Sequence, residues 1–268
     1  MSTHKKIEVV EYNPEWPAIF EKEKSIILDA LGKNCIAIHH VGSTSVPGLV
    51  AKPKIDIIAV ANDREKARAD LEKVGYSYDG EWNIPLQGGF AKRTGTHVNL
   101  HMFFEKDHPE IELNLAFRDY LRTHEDAKTA YGNLKKEILS NEENATKRIK
   151  IGALSFPAYT LKKRAFIDDI LKKIGFNRLR VIKCLTETEQ KAAEEFYKNY
   201  SEKSGKTLDF SDGNYEHFIL YKGVDICGYA SLQISPTPEI VTVEVQYPED
   251  ETFFRDVIQK WIRVNCCA

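Results

Sequence analysis

Gly42-Ser43-Thr44-Ser45 stands twelve residues ahead of a lone carboxylate, Asp56, set in the apolar run Ile55-Asp56-Ile57-Ile58-Ala59-Val60. A glycine followed by small hydroxyl residues lets backbone N–H groups face a phosphate at the start of a helical turn. A single charge in so apolar a strand needs a partner. Further on, His97-Val98-Asn99-Leu100-His101-Met102 alternates. That period places His97, Asn99 and His101 on one sheet face and Val98, Leu100 and Met102 on the other. If the two strands are neighbours, His101 stands beside Asp56 and completes a metal or phosphate site. Taken alone, the same residues also fit an ordinary loop with a hydrogen-bonded aspartate, and an exposed sheet face with two incidental histidines.

The flanking residues supply elements to position this chemistry. Ile36, Ile38 and Val41 make a strand before the glycine turn. Pro47 suits the first turn of a short helix after it, and Lys52-Pro53-Lys54 leads out into the Asp56 strand. Ile7 to Val10 reads as a short strand, and Pro14 opens a helix with Trp16, Ile19, Phe20, Ile27 and Leu31 near helical spacing. A second helix begins at Asp63 and ends at Gly75, followed by strand material at Tyr76 to Asp79 and a turn-rich loop at Gly80 to Pro85. The middle is helical. Pro109 to His124 carries Arg118 and Arg122 one turn apart, Asp126 to Ile138 repeats the pattern, Asn141 to Lys150 has no clear period, and Phe156 to Phe176 reads as a further helix carrying Lys163.

At 268 residues the chain is long enough for two domains, and 42% hydrophobic residues supply cores for both. Thirty-eight basic and 40 acidic residues leave a net charge of −2, which argues against a nucleic-acid partner as the main role. No apolar run is long enough to cross a membrane and the N-terminus lacks an apolar signal core, so a soluble, cytoplasmic protein is expected. Five cysteines without a CxxC pair are expected to be reduced thiols.

The Gly42-Ser43 turn and the strand carboxylate Asp56 resemble the signature of the polymerase beta-like nucleotidyltransferases, in which the glycine turn holds nucleotide phosphates and carboxylates hold metal. The usual second acid two positions on is here Ile58. In order and spacing, IEVVEYNPEWPAIFEKE, HHVGSTSVPGLVAKPKIDI, VNLHMF, FRDYLRTH with YGNLKKEI, and YTLKKRAFI are similar to the GrpB family over roughly residues 7 to 174. The resemblance implies an α/β nucleotidyltransferase-like mixed sheet flanked by helices, with no established substrate. Lys135, Tyr131 and Tyr159 are among the positions it matches. It further implies a metal-dependent nucleotidyltransferase acting from a nucleoside triphosphate on an unknown acceptor. Asp56 and Lys52 would be catalytic, with Gly42, Ser43, Thr44, Asn99, Arg118, Arg122 and Lys163 on the substrate. Asp56 and His101 would hold a divalent ion (Mg, Mn or Zn), one oxygen and one imidazole suiting Mn²⁺ or Zn²⁺ better than Mg²⁺. The alternative is a module that binds a nucleotide or phosphorylated ligand without turnover.

Residues 175–268 read as strand, helix, hairpin, strand and helix. The strands are Leu179 to Leu185, Phe218 to Lys222, Ile226 to Ile234 and Ile240 to Tyr247. The helices begin at Thr186, running to Ser204, and at Glu251, running to Val264. This order resembles a GCN5-related N-acetyltransferase domain in a small α/β form. Tyr247-Pro248-Glu249-Asp250-Glu251-Thr252 replaces the glycine-rich basic loop that such enzymes use for coenzyme A, so the domain is expected to be degenerate, with acyl-coenzyme A-dependent transfer as a second alternative.

Overall fold

The computed structural model of the chain describes residues 6–151, 154–200 and 208–266. It divides into two compact units. The first comprises the residues up to Gly80 and Gln87–Ile174, and the second Glu81–Leu86 with the residues from Gly175 onward. A six-residue segment of the first half of the chain therefore belongs to the second unit. The last four residues of the expected Thr186 helix, 201–204, and residue 267 lie outside the described residues.

The first unit is built on a mixed five-stranded sheet in the order β1-β2-β5-β4-β3. Its strands are β1 (Cys35–Val41), β2 (Ile55–Ala61), β3 (Ser77–Gly80), β4 (Gly88–Lys92) and β5 (Val98–Phe103). β2 and β5 run parallel, and the other neighbours are antiparallel. One face is apolar by alternation. Ile55, Ile57, Ala59, Val98, Leu100 and Met102 pack with Trp16, Phe20, Ile27 and Leu31 of α1 (Trp16–Leu31) and with Ala67 and Leu71 of α2 (Arg64–Lys73). Full burial of a side chain such as Ile57 contributes about 1.5–3 kcal/mol. Glu23 on α1 is buried in this layer, where its Oε1 accepts from Tyr76 Oη (2.8 Å) and Lys92 Nζ (2.7 Å). α2 starts where Asp63 accepts from the Lys66 amide.

The opposite sheet face carries Asp56, Ile58, Asn99 and His101. The remaining helices of this unit are α3 (Pro109–Thr123), α4 (Glu125–Ser140), the short α5 (Glu142–Thr146) and α6 (Ala158–Leu161), and α7 (Arg164–Lys173). Leu121, Ala127, Tyr131 and Ile170 form a second apolar cluster with Val46 and Leu49 of the loop after β1.

Four local expectations change. The Ile7–Val10 strand reduces to one bridge, Val10 with Ala51, because Ile7 N donates to Ala145 O instead. The short helix at Pro47 is a single 3-10 turn over Ser43–Ser45, and Gly48, at φ +77°, ends any continuation. Asn141 caps one helical turn, α5, within the aperiodic stretch. The Phe156 to Phe176 helix starts later and is broken. Residues Leu154–Pro157 pair as β7 with β6 (Arg148–Ile151), and the helix resumes as α6 and α7.

The second unit is an antiparallel sheet in the order β11-β10-β9-β8, made of β8 (Leu179–Lys183), β9 (Tyr215–Lys222), β10 (Asp225–Gln233) and β11 (Glu239–Val245). Alternation along β9 splits its two faces. Phe218 and Leu220 pack with Phe254, Ile258 and Trp261 of α9 (Glu251–Asn265), while Ile219 and Tyr221 pack in a cluster with Ala193 and Phe196 of α8 (Glu187–Tyr200). α8 begins with a reciprocal cap: Glu189 Oε2 accepts from the amides of Leu185 and Thr186, and Glu189 N donates to Thr186 Oγ1. The segment 81–86 is stitched into this unit. Asn83 O accepts from Lys183 N (2.7 Å), Asn83 Nδ2 donates to Glu189 Oε1 (3.3 Å), and Trp261 Nε1 donates to Glu81 Oε1 (2.6 Å). Among the described residues Cys35, Cys184, Cys227 and Cys266 are free thiols, and no helix is long and apolar enough to cross a membrane.

Candidate functional site

The turn after β1 is fixed by backbone geometry at Gly42, whose φ of 70° and ψ of −173° lie in a region nearly reserved for glycine. Register puts Val41 opposite Asp56, so Gly42 sits against that carboxylate. A Cβ at position 42 would stand 2.6 Å from Asp56 Oδ2 and 3.0 Å from its Cβ. Small size here is thus a condition for Asp56 to occupy its place. Ser45 Oγ donates back to Gly42 O (2.6 Å) and tightens the turn. Thr44 Oγ1 lies 3.0 Å from His40 Nε2, and the His40 ring stacks on Phe20. Burial pushes His40 down to about 4, with the Asp56 charge acting the other way, so this imidazole is neutral at pH 7 and supports the turn.

Arg118 and Arg122 hold the same turn from α3. Arg118 Nη1 donates to His40 O (2.9 Å), and Arg122 donates through Nε (3.0 Å) and Nη2 (2.7 Å) to Ser45 O. Both are tied to Asp119, whose carboxyl the Arg118 guanidinium holds below its usual range. The expectation that these arginines neutralise a triphosphate directly meets a geometry in which their donors already serve backbone carbonyls and Asp119. They position the turn.

Parallel pairing of β2 with β5 sets Asp56 opposite Asn99 and Ile58 opposite His101. The neighbour of Asp56 is therefore an amide: Asn99 Nδ2 donates to Asp56 Oδ1 (3.1 Å), and Arg93 Nη2 donates to Asn99 Oδ1 (2.9 Å). Lys54 Nζ lies 3.7 Å from Asp56 Oδ1. His101 is one pair further along the same face, with Nδ1 2.6 Å from Gln87 Nε2. Gln87 thus engages Nδ1 of the ring, whichever tautomer the imidazole adopts. Burial lowers the His101 pKa. Among the described residues no three His, Cys, Asp or Glu side chains are grouped to hold a metal ion. Asp56 and His101 share one face of the sheet, and no third such side chain joins them among the described residues.

Lysines from separate parts of the chain gather near the same turn. Lys135 of α4 is fully buried, and its ammonium reaches Ser43 Oγ (3.0 Å) and Val50 O and lies 4.7 Å from the Tyr131 ring centroid. Lys52 and Lys163 stand over one ring, that of the buried Tyr159, at 4.8 and 4.7 Å. Burial, then Lys54 and Lys163, lower Lys52 to about 7. Burial and Lys163 lower Lys135 to about 7. Burial lowers Lys163 to about 8 against the opposing pull of Asp56. Among the described residues Lys52, Lys135 and Lys163 have no carboxylate within ion-pair distance, and such a cluster is one that an entering anion relieves. His97 lies before β5 and joins none of these contacts.

Lys135, Lys54, Gln87 and Arg93 were given no role by reading the sequence. The signal for Lys135 is its place four residues after Tyr131 and three before Ile138, on the inward stripe of α4. For Gln87 and Arg93, on either side of β4, nothing in the residue pattern distinguishes them from loop residues.

Comparison with known proteins places these residues in context. A family model described as GrpB protein matches residues 6–173. UPF0157 protein BH1888 of Halalkalibacterium halodurans is 34% identical over 173 residues, covering 62% of this chain and 82% of that protein. UPF0157 protein YqkA of Bacillus subtilis is 37% identical over 152 residues, covering 53% of this chain; the chain spans 42% of that relative's length. A crystal structure of conserved protein GrpB from Enterococcus faecalis aligns with a TM-score of 0.53 at 33% identity, over 62% of this chain and 96% of that one.

Proposed function

The chain belongs to the GrpB protein family through residues 6–173, and from that premise we propose that its first unit binds a nucleoside triphosphate or a related phosphorylated ligand over the Gly42 turn. The observation that carries this reading is the convergence of Lys52, Lys135 and Lys163, buried or half-buried and lacking a carboxylate of their own, around Tyr159 and the turn. Lys163 and Lys52 meet the phosphates, and Lys135 holds Ser43 so that the turn faces them. Arg118 and Arg122 act behind the turn. Lys135 and Lys163 supply positive charge there, as charge-neutralising groups do in phosphoryl chemistry generally.

Transfer of the nucleotidyl group to an acceptor is the second reading, favoured by Asp56 standing against the Gly42 turn with Asn99 fixing one of its oxygens. Asp56 would then orient or deprotonate the acceptor. Acyl transfer by the second unit is not proposed: buried Asp250, paired with Lys222 Nζ at 3.2 Å, occupies the start of α9, where a pyrophosphate would need bare N–H groups.

Titration calorimetry with nucleoside triphosphates, pyrophosphate and phosphate, in chelator and with added Mg²⁺, Mn²⁺ or Zn²⁺, tests the binding reading on wild type, Lys163→Met and Lys135→Met. A charge-assisted hydrogen bond of about 1.5–3 kcal/mol predicts a loss of roughly 10- to 100-fold on removing Lys163. Absence of saturable binding, or affinity indifferent to both substitutions, overturns it.

A further inference from the structure

Lys52 differs from the other lysines of the pocket in what surrounds it. The Lys135 ammonium is taken up by Ser43 Oγ, Val50 O and the Tyr131 ring, and Lys54 faces Asp56 at 3.7 Å. Among the described residues the ammonium groups of Lys52 and Lys163 have neither hydrogen bond nor ion pair, and they share the ring of Tyr159. Two ammonium groups on one ring repel, so one releases its proton before the other. The surroundings decide which. Asp56 favours the charged form of Lys163 directly after the burial effect. At Lys52 the charges of Lys54, Lys163 and Arg148 oppose protonation against Asp56 alone. Lys163 thus stays an ammonium, and Lys52 carries a lone pair in a sizeable fraction of molecules near neutral pH.

The backbone of Lys52 is also held in place. Ala51 exchanges both backbone hydrogen bonds with Val10 (2.9 and 3.0 Å), and Lys54 N donates to Lys52 O (2.7 Å) around Pro53. The amine therefore projects from an anchored segment between the Gly42 turn and the Asp56 strand.

We propose that Lys52 Nζ is a nucleophile that accepts the nucleotidyl group covalently before the acceptor receives it. The inference rests on the triphosphate reading of the pocket. The Lys52 lone pair forms an N–P bond to the α-phosphorus as the bond from that phosphorus to the bridging oxygen breaks. The bonding pair leaves with pyrophosphate, and the surplus proton on nitrogen passes to Asp56 or water. In the second half the acceptor's oxygen or nitrogen attacks the same phosphorus, the P–N bond breaks, and Nζ takes back a proton. Dividing the transfer in this way lets an amine that is already partly deprotonated make the first attack, in a site where Ile58 stands at the position of the second strand carboxylate.

The full chain is incubated with a triphosphate labelled at the α- or the γ-phosphate, denatured, and mapped by peptide mass spectrometry, while equilibrium dialysis measures nucleotide binding on the same samples. The expected result is α-label retained and γ-label lost, with one pyrophosphate released per label. The linkage should be alkali-stable and acid-labile, map to Lys52, and be absent from Lys52→Arg. Binding without α-label overturns the covalent step and leaves the pocket reading standing, as does label on Lys163 or label surviving in Lys52→Arg. Absence of both binding and label overturns the two together.

Discussion

Replacing Gly42 by alanine tests whether the turn and the carboxylate were shaped around each other. The added methyl meets two penalties. The backbone at φ 70°, ψ −173° costs a residue with a Cβ about 1–3 kcal/mol. The methyl also lands 2.6 Å from Asp56 Oδ2 and 3.0 Å from Asp56 Cβ. The Cβ atom is anchored to the strand and cannot swing away, so the carboxylate must move and its bond from Asn99 is strained or lost, at about 1–2 kcal/mol for a partly exposed group. The substitution should therefore destabilise β1 and β2 by roughly 2–5 kcal/mol. Hydrogen exchange read by mass spectrometry on peptides from β1, β2 and β5 reports this locally, which matters because a two-unit chain has no single unfolding free energy. Asp56→Ala completes a double-mutant cycle. It removes Oδ2 and leaves the backbone penalty, so Gly42→Ala should cost less in that background, with a coupling of about 1–2 kcal/mol. A Gly42→Ala effect below about 1 kcal/mol, or one that adds to Asp56→Ala without coupling, would refute the account of Gly42 as the residue that makes room for Asp56.

The lysines predict a pH dependence of definite sign. Lys52 and Lys135 are lowered to about 7 and Lys163 to about 8, so from those values up to ~10.4 the unfolded chain binds more protons than the folded one. Stability of the ligand-free first unit should rise with pH across that window, by at most ~1.4 kcal/mol per pH unit for each lysine and less where solvent reaches it. Triphosphate affinity should fall over the same window, and calorimetry in two buffers of different ionisation enthalpy should show proton uptake on binding. Constant stability and no uptake would contradict the cluster. Arg122→Ala removes both donors to Ser45 O and should cost about 1–2 kcal/mol in local stability and roughly 10-fold in ligand affinity. Exchange protection of β1 and titration measure the two, and a change in neither would mean that the arginine does not position the turn.

How much of this was legible beforehand varied with the kind of information required. The Gly42 turn and Asp56 were readable because an irregular glycine turn and a lone charge in an apolar strand are each costly without a reason. The inward Val98, Leu100 and Met102 and the outward Asn99 and His101 followed from period two. The identity of the residue beside Asp56 did not, since alternation fixes the face of a strand and not its register against a neighbour. One parallel step separates Asn99 from His101, and that step exchanges an expected metal ligand for an amide. Lys135 was matched to the family without a role because a lysine on an amphipathic helix is ordinarily solvated, and only the approach of α4 to Ser43 and Val50 buries it. The broken helix at Ala158 depended on the β6–β7 pairing, a tertiary contact competing with local periodicity. In the last third, strong alternation and a reciprocal cap made the order of elements readable.

The stitching of Glu81, Asn83 and their neighbours into the second unit has a practical consequence for anyone who cuts the chain. A clone ending at residue 174 would leave six residues without the Lys183 amide, the Glu189 carboxylate and the Trp261 indole that hold them. A clone starting at residue 175 would lack the strip that occupies those same groups. The Trp261 indole N–H would go unanswered, and Glu189 would keep its amide partners and lose its side-chain one. Separated halves are therefore poor proxies for the units they were meant to isolate, and a redesigned loop closing Gly80 directly to Gln87, with the six-residue strip returned to the other half as a peptide, is the more faithful dissection.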